Sequence, residues 1–131
     1  MTSRSFRIIG VQHVSLPIVP GGQERARHFY GRLLGLAEKP VPETLPRHLV
    51  WFDVGGQEIH LLVEDNAADV NPLSRRHPCL EVDDVSVLRA SLDTNGVATE
   101  DEDFPLPGRR RFFARDPFDN LIEFVTFDGP R

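Results

Sequence analysis

Two short β-prone runs, each with a histidine or a glutamate at a fixed place, occur twice in this chain at almost the same distance. Ile59-His60-Leu61 is matched by Ile122-Glu123-Phe124, 63 residues later. The run His13-Val14-Ser15-Leu16 is matched by the run that begins at His77, 64 residues later. Self-similarity at half a chain length indicates an internal duplication. We therefore expect one domain, residues 1–131, made of two modules at about 6–65 and 77–128 with a linker at about 66–76.

Each module is predicted to contain a strand, a helix and three further strands. The stronger predictions are strands at 6–19, 49–54, 58–63, 77–82, 109–115 and 121–127, with helices at 23–34 and 85–93. Residues 37–46 and 98–104 are weaker strand candidates, because the first segment is rich in proline and the second is polar. Helices packed on a mostly antiparallel sheet make an α+β fold.

The first predicted helix has one apolar stripe, formed by Ala26, Phe29, Tyr30 and Leu33. Residues at this spacing share one face of a helix, so the stripe should be buried. His28 falls outside the stripe and should be exposed. Gly35 follows the last turn and should end the helix.

Strand alternation predicts that four polar residues share the face opposite the helices. The apolar residues of the predicted strands have the other parity and should face the helices. The four polar residues are His13, His60, His77 and Glu123. A lone histidine there would more often be a hydrogen-bonded structural residue, and Glu123 alone could lie on a solvated face. Four such residues at duplicated positions instead predict a divalent metal site, for which Zn²⁺, Ni²⁺, Mn²⁺, Fe²⁺ and Co²⁺ are all compatible.

Composition narrows the class of partner. The formal net charge of −5 and the pI near 5.5 argue against a nucleic-acid or anionic membrane surface, although Arg109-Arg110-Arg111 is a local exception. A small molecule or another protein is the expected partner. One cysteine excludes an intrachain disulfide, and neither a long apolar run nor a signal-peptide pattern occurs, so we expect a cytoplasmic location.

Several motifs together resemble the vicinal oxygen chelate superfamily. They are His13-Val14-Ser15-Leu16, Phe29-Tyr30-Gly31 followed by Leu33-Leu34-Gly35-Leu36, His77, and Asp116-Pro117-Phe118-Asp119-Asn120 leading into Ile122-Glu123-Phe124. This superfamily contains glyoxalase I, fosfomycin-modifying enzymes, extradiol dioxygenases, methylmalonyl-CoA epimerase and bleomycin-binding resistance proteins. Asp119 departs from the family pattern, which usually has glycine there. Aspartate can adopt the left-handed backbone conformation that this turn requires.

The resemblance implies paired βαβββ modules whose mixed sheet curls around a metal-site cavity, often with a homodimer completing or enclosing the site. It implies metal ligands at His13, His60, His77 and Glu123. The shared chemistry is chelation of a substrate through two neighbouring oxygens, so that the metal stabilises an oxyanion. Glu123 could serve as ligand and general base in turn.

Other residues of the same strand parity are candidates for contact with substrate. Trp51 could line an apolar pocket, or could be a core or dimer contact. Arg111 and Phe113 could face the cavity, with Arg111 holding an anionic group, although a solvated hairpin charge is an equal alternative. Glu58 could be an outer partner of the metal site, a rival ligand or a solvated charge. Cys79 has a small side chain and is expected only to leave space in the cavity.

Three functions remain open from the sequence. The first is a glyoxalase-like metal-dependent lyase or isomerase, supported by the complete ligand set. The second is a metal-free protein of the bleomycin-resistance type that sequesters an antibiotic or aromatic ligand. The third is an Fe²⁺ ring-cleaving dioxygenase, for which two histidines and one carboxylate suffice. The extra histidine and the short chain argue against the third.

Overall fold

A computed structural model of the chain describes residues 5–129. The first module contains β1 (His13–Ile18), helix α1 (Gln23–Ala26) with a π-helical continuation (Arg27–Leu33), β2 (Glu38–Lys39), β3 (Val50–Val54) and β4 (Gln57–Val63). A connecting segment contains α2 (Ala67–Val70) and a 3₁₀ turn (Asn71–Leu73). The second module contains β5 (Cys79–Glu81), α3 (Val85–Thr94), β6 (Thr99–Asp101), β7 (Arg109–Arg115) and β8 (Leu121–Phe127).

The eight strands divide into two sheets of the same design. The strand order is β1-β4-β3-β2 in the first sheet and β5-β8-β7-β6 in the second. In each sheet the first and last strands of the module pair in parallel, and the other pairs are antiparallel. The duplicated βαβββ order, and with it the α+β class, is confirmed.

The predicted division between strand faces is also confirmed by burial. One hydrophobic core contains the inward residues of both modules, among them Leu16, Ile18, Ile59, Leu61, Phe112, Ile122 and Phe124. His60 and Glu123, of the opposite parity, retain partial exposure, whereas Leu121 and Val125, which share the parity of Glu123, are buried. Because side chains alternate along a strand, the apolar pattern identified the face that joins the common core, but it did not show that β8 is buried on both faces.

The apolar stripe predicted for the first helix faces the core, but most of this helix is π-helical rather than α-helical. Ala26, Phe29 and Tyr30 are buried, and His28 is exposed. From Arg27 onward the backbone is π-helical, and the Leu34 amide donates to the Phe29 carbonyl at 3.0 Å. In an α-helix each amide bonds to the carbonyl four residues earlier, and in a π-helix to the carbonyl five residues earlier. Both arrangements keep the apolar stripe on the buried side, so the spacing of apolar residues did not distinguish the two helix types.

Four segments show the clearest differences from the predicted boundaries. Strand β5 begins at Cys79 rather than at His77, so His77 precedes the strand that it was predicted to open. Strand β1 begins at His13 rather than near residue 6, because its pairing with β4 begins at the His13–Glu58 pair and β4 itself begins one residue earlier, at Gln57. The expected linker contains helical turns, and its Asn71 is buried and donates to the carbonyls of Pro17 and Phe118. The polar segment 98–104 contributes β6, which pairs with β7.

Three residues between the main elements have conformations or contacts that their side chains explain. Asp84 caps α3, since its Oδ1 accepts from the amides of Ser86 and Val87. Asp119 has a φ of 64°, as the turn required. Gly22 permits a close approach between the modules, because a Cβ there would lie 2.5 Å from the Phe118 ring.

A buried hydrogen-bond network joins the two modules at Asp116. The Tyr30 hydroxyl donates to Asp116 Oδ2 at 2.6 Å, and the amides of Phe118 and Asn120 donate to Oδ1. Burial raises the pKa of the Asp116 carboxyl, although its donors oppose that shift. Burial and the nearby Asp116 raise the pKa of Tyr30 well above its usual value. The network therefore holds the β7–β8 turn against the first helix.

We expect Tyr30→Phe to lower the free energy of unfolding by about 1–3 kcal/mol. The change removes one hydrogen bond to a buried carboxylate and leaves the ring in place. Urea unfolding followed by circular dichroism measures this difference. A loss below about 0.5 kcal/mol would mean that the Tyr30 bond contributes nothing net to the module contact.

No helix within residues 5–129 is long and apolar enough to cross a membrane.

Candidate metal and substrate site

The first half-site is a stack of three rings on the open face of the first sheet. The rings of His13 and His60 are stacked with centroids 3.9 Å apart and planes 17° from parallel. Trp51 covers His60, with centroids 3.9 Å apart and planes 2° from parallel. The stack forms because β4 lies between β1 and β3, and Trp51 is directly opposite His60 in the antiparallel pair.

The second half-site is formed by His77, Arg111, Phe113 and Glu123 on the open face of the second sheet. His77 Nε2 lies 3.1 Å from Glu123 Oε1, and Arg111 Nη1 lies 3.4 Å from Glu123 Oε2. The His77 ring meets Phe113 edge-on, with centroids 5.5 Å apart. The two oxygens of Glu123 are thus divided between an imidazole and a guanidinium.

The structure brings the four predicted ligands together as two pairs. His13 lies with His60, and His77 lies with Glu123. Among residues 5–129, no group of three or more His, Cys, Asp or Glu side chains is placed to hold a metal ion. His13, His60 and Glu123 lie in strands and His77 just before β5, but these strands belong to two different sheets, and strand parity does not set the distance between sheets.

Arg111 is engaged within its own module. Its side chain is only 13% exposed, so it is not a solvated hairpin charge. It donates to the Phe104 carbonyl at 2.7 Å and lies 3.7 Å from a Glu102 oxygen as well as near Glu123. Within the described chain, Arg111 Nε and Trp51 Nε1 are buried without a hydrogen-bond partner.

Glu58 is an ionised carboxylate within the first half-site. Lys39 donates to its Oε2, and His60 Nε2 lies 2.8 Å from its Oε1. The bonds from Lys39 and then His60 lower the pKa of Glu58 to about 2. Sequence reasoning missed Lys39, because the contact crosses from β2 past β3 to β4. The sequence did contain one signal for this contact, because Lys39 and Glu58 carry opposite charges and lie in segments predicted to be strands of one module.

Cys79 is a neutral thiol opposite Glu123. Burial of the thiol, followed by the negative charge of Glu123, raises its pKa to about 11. Since the thiolate is the reactive form, Cys79 carries little nucleophilic or metal-binding character.

The donor set in the second half-site fits a divalent cation. His77 Nδ1 lies 2.8 Å from the Arg75 carbonyl, which only accepts hydrogen bonds, so this nitrogen carries a proton. Nε2 then faces Glu123 Oε1, an acceptor as well. Two such atoms are held close only by a proton or a cation between them, and imidazole with carboxylate suits several divalent metals.

A cleft of about 400 Å³ lies between the modules. Ser15, Leu62, His77 and Leu121 are among the residues that line it. The cleft therefore reaches the second half-site and the strand that carries His13, but it does not include the ring stack.

Comparison with known proteins gives a consistent family. The model of the Glyoxalase/Bleomycin resistance protein/Dioxygenase superfamily matches residues 10–124. A search among curated proteins gave no match.

Solved structures with this fold include proteins with different roles. A protein from Bacillus anthracis assigned to the glyoxalase family is 36% identical, with a TM-score of 0.85 over 95% of this chain and 100% of that chain. TnmS3, an antibiotic binding protein from Streptomyces sp. CB03234, is 27% identical, with a TM-score of 0.69 over 94% and 99% of the two chains. Lactoylglutathione lyase from Agrobacterium tumefaciens is 23% identical, with a TM-score of 0.70 over 92% and 95%, and shares the fold.

Proposed function

The chain belongs to the Glyoxalase/Bleomycin resistance protein/Dioxygenase superfamily, and we propose that it is a glyoxalase-like, metal-dependent lyase or isomerase acting on a small substrate with two neighbouring oxygens. The observation that carries this proposal is the His77–Glu123 pair. Its two facing acceptor atoms need a proton or a cation between them, because the Arg75 carbonyl already occupies the other ring nitrogen, and we propose that a divalent cation takes this place.

We further propose that a second copy of the chain completes the site. Each half-site supplies two of the four predicted donors, and catalytic metal sites commonly use at least three protein ligands. His13 begins β1 and His77 lies just before β5, and both strands stand at an end of their sheet. A homodimer that joins the first half-site of one copy to the second half-site of its partner would unite His13, His60, His77 and Glu123.

In this proposal each side chain has a defined task. The four residues would hold a divalent ion, which when bound would supply positive charge for an oxyanion that develops on the substrate. Glu123 takes a proton from the carbon next to a carbonyl, for which one carboxylate oxygen must be released from its present partner. Phe113 and Trp51 exclude water beside the reacting atoms, and Arg111 holds either Glu123 or an anionic group of the substrate. We propose a cytoplasmic location, where a single free cysteine stays reduced.

Metal analysis of untagged protein tests the proposal directly. We expect about one divalent ion per chain after purification without added metal, because a dimer with two complete sites holds two ions. Mass spectrometry of the metal content, combined with sedimentation to determine the oligomeric state, measures both quantities. A monomer with no divalent metal after exposure to micromolar Zn²⁺, Ni²⁺, Mn²⁺, Fe²⁺ or Co²⁺ would remove the metal site.

A metal-free sequestering protein is the second candidate. The ring stack of Trp51, His60 and His13 offers a flat aromatic surface suited to a planar ligand, and TnmS3 is an antibiotic binding protein with the same fold. This candidate predicts that an aromatic antibiotic binds equally well with and without a chelator and leaves unchanged. The enzyme predicts that the chelator abolishes binding or turnover.

A further inference from the structure

The segment that leads into β1 exposes a run of apolar side chains. Residues 6–11, which we call the N-terminal arm, form no helix or strand. Four large apolar residues of the arm are between 62% and 89% exposed, and they are Phe6, Ile8, Ile9 and Val11. Within residues 5–129, the hydrogen bonds that hold the arm begin at Val11, whose carbonyl accepts from Gln57 Nε2 at 2.8 Å. Clustered exposed apolar residues of this kind mark an interaction surface.

The order of residues in the arm indicates that it is covered on both sides. In an extended segment alternate side chains point to opposite faces, so Phe6 and Ile8 would share one face while Ile9 and Val11 share the other. A strand that lies on the surface of its own domain needs apolar residues on one face only. Apolar residues on both faces are typical of a strand that is enclosed between two bodies.

A cleft of about 380 Å³ borders the second half-site and offers a place for such a segment. It begins at Arg111 and Phe113, which belong to the half-site, and extends to Asp103 and Phe104. Phe104 is 78% exposed, and its carbonyl accepts from Arg111 Nη2 at 2.7 Å. An exposed apolar residue is therefore held in place beside the half-site. We call this cleft the acidic cleft.

The arm and the acidic cleft carry opposite charges. Residues 100–103 are the one run of four consecutive acidic residues in the sequence, and three of the four line the cleft. No Asp or Glu precedes Glu24, whereas Arg7 lies within the arm. Arg75 and Arg111 also line the cleft, but Arg111 is engaged by carboxylates of its own module. Opposite charges of this kind guide association and fix its register.

We propose that the N-terminal arm of one copy occupies the acidic cleft of a second copy, with Arg7 facing the acidic run and apolar side chains covering Phe104. This arrangement rests on the proposed function, in which the first half-site of one copy joins the second half-site of its partner. The arm ends two residues before His13, so in that dimer it emerges beside the partner's cleft.

The arm is long enough to follow the cleft and to close one side of the site. Phe6 lies seven residues before His13, and an extended chain covers about 3.3 Å per residue, so the arm reaches about 23 Å. Docked there, it forms a wall of the substrate cavity next to Arg111 and Phe113 of the partner. Each copy would then contribute to the other's site a segment that its own fold leaves exposed.

Spin-label NMR on mixed chains tests where the arm lies. One population carries a nitroxide at Ser5→Cys in a Cys79→Ser background, and the other is labelled with nitrogen-15 and has no nitroxide. We expect the amide signals of residues 100–104 to lose intensity in the nitrogen-15 chains. The matched control carries the nitroxide at Val87→Cys, which is 66% exposed in α3, on the core side of the second sheet, and should leave these signals unchanged.

Sedimentation equilibrium measures how much the arm contributes to the dimer. Burial of one exposed isoleucine side chain strengthens association by about 10- to 100-fold. Ile8→Asp, and likewise Phe104→Asp, should therefore raise the dimer dissociation constant by at least about 10-fold. Val87→Asp places the same charge outside the arm and the cleft and should leave the constant unchanged.

The outcomes separate this proposal from the proposed function. A metal-binding dimer in which residues 100–104 lose no intensity in the mixed sample overturns the arm and leaves the metal function standing. Intensity lost only when nitroxide and nitrogen-15 are in the same chain also overturns the arm, because it then lies on its own domain. A dimer with the expected loss that binds no divalent metal upholds the arm and defeats the metal function. A chain that stays monomeric overturns both.

Discussion

Glu123→Gln is expected to weaken divalent metal binding by more than about 100-fold. Loss of an outer partner alone costs about 10- to 100-fold, and here the charge of a ligand is removed. Glutamine keeps the size of the side chain but replaces the oxygen anion that faces His77 and Arg111. Calorimetric titration of chelator-treated protein, with circular dichroism to verify folding, measures the effect.

The matched control is Glu24→Gln, which removes the same charge from a side chain in α1 that is 88% exposed and belongs to neither half-site. It should bind metal as the wild type does. If Glu123→Gln and Glu24→Gln bind equally tightly, the site assignment is wrong and the sequestering function takes precedence. Turnover must be compared at equal metal occupancy, where loss of a general base alone should cost about 10²- to 10⁴-fold in rate.

Phe29→Ala is expected to lower the free energy of unfolding by about 3–5 kcal/mol. The Phe29 ring is 1% exposed and lies edge-on to Tyr30, with centroids 4.9 Å apart. Alanine would leave a large empty volume in the core shared by the two modules, where neighbours relax only in part. Urea unfolding curves of the wild type and the variant measure the difference when both are fitted with one shared dependence of unfolding free energy on urea concentration.

His28→Ala, one residue earlier in the same helix, is the control and should change stability by less than about 0.5 kcal/mol, because His28 is exposed. The pair tests the phase of the helix as well as its packing. Comparable losses from the two variants would contradict the orientation of the π-helical segment. A large loss from His28→Ala alone would place the helix in the opposite phase.

The sequence by itself determined the repeat, the order of the elements and the faces of the strands. These properties depend on short-range chemistry. Period-two alternation assigned the face of each strand that joins the core, and Gly35 and Asp119 marked backbone positions with φ near 70°. The motif residues were sufficient to predict the family because they lie at these local positions.

Only the tertiary structure decided which site residues meet. The sequence could not show that His13 pairs with His60 while His77 pairs with Glu123, because strand parity says nothing about how two sheets are placed. It also could not show that Lys39 anchors Glu58, or that Tyr30 bonds Asp116 across 86 residues of chain. Such contacts depend on how the modules pack, and packing is the joint result of many weak apolar contacts between residues far apart in sequence. Local patterns therefore identified the chemical groups of the candidate site, and long-range packing set the distances between them.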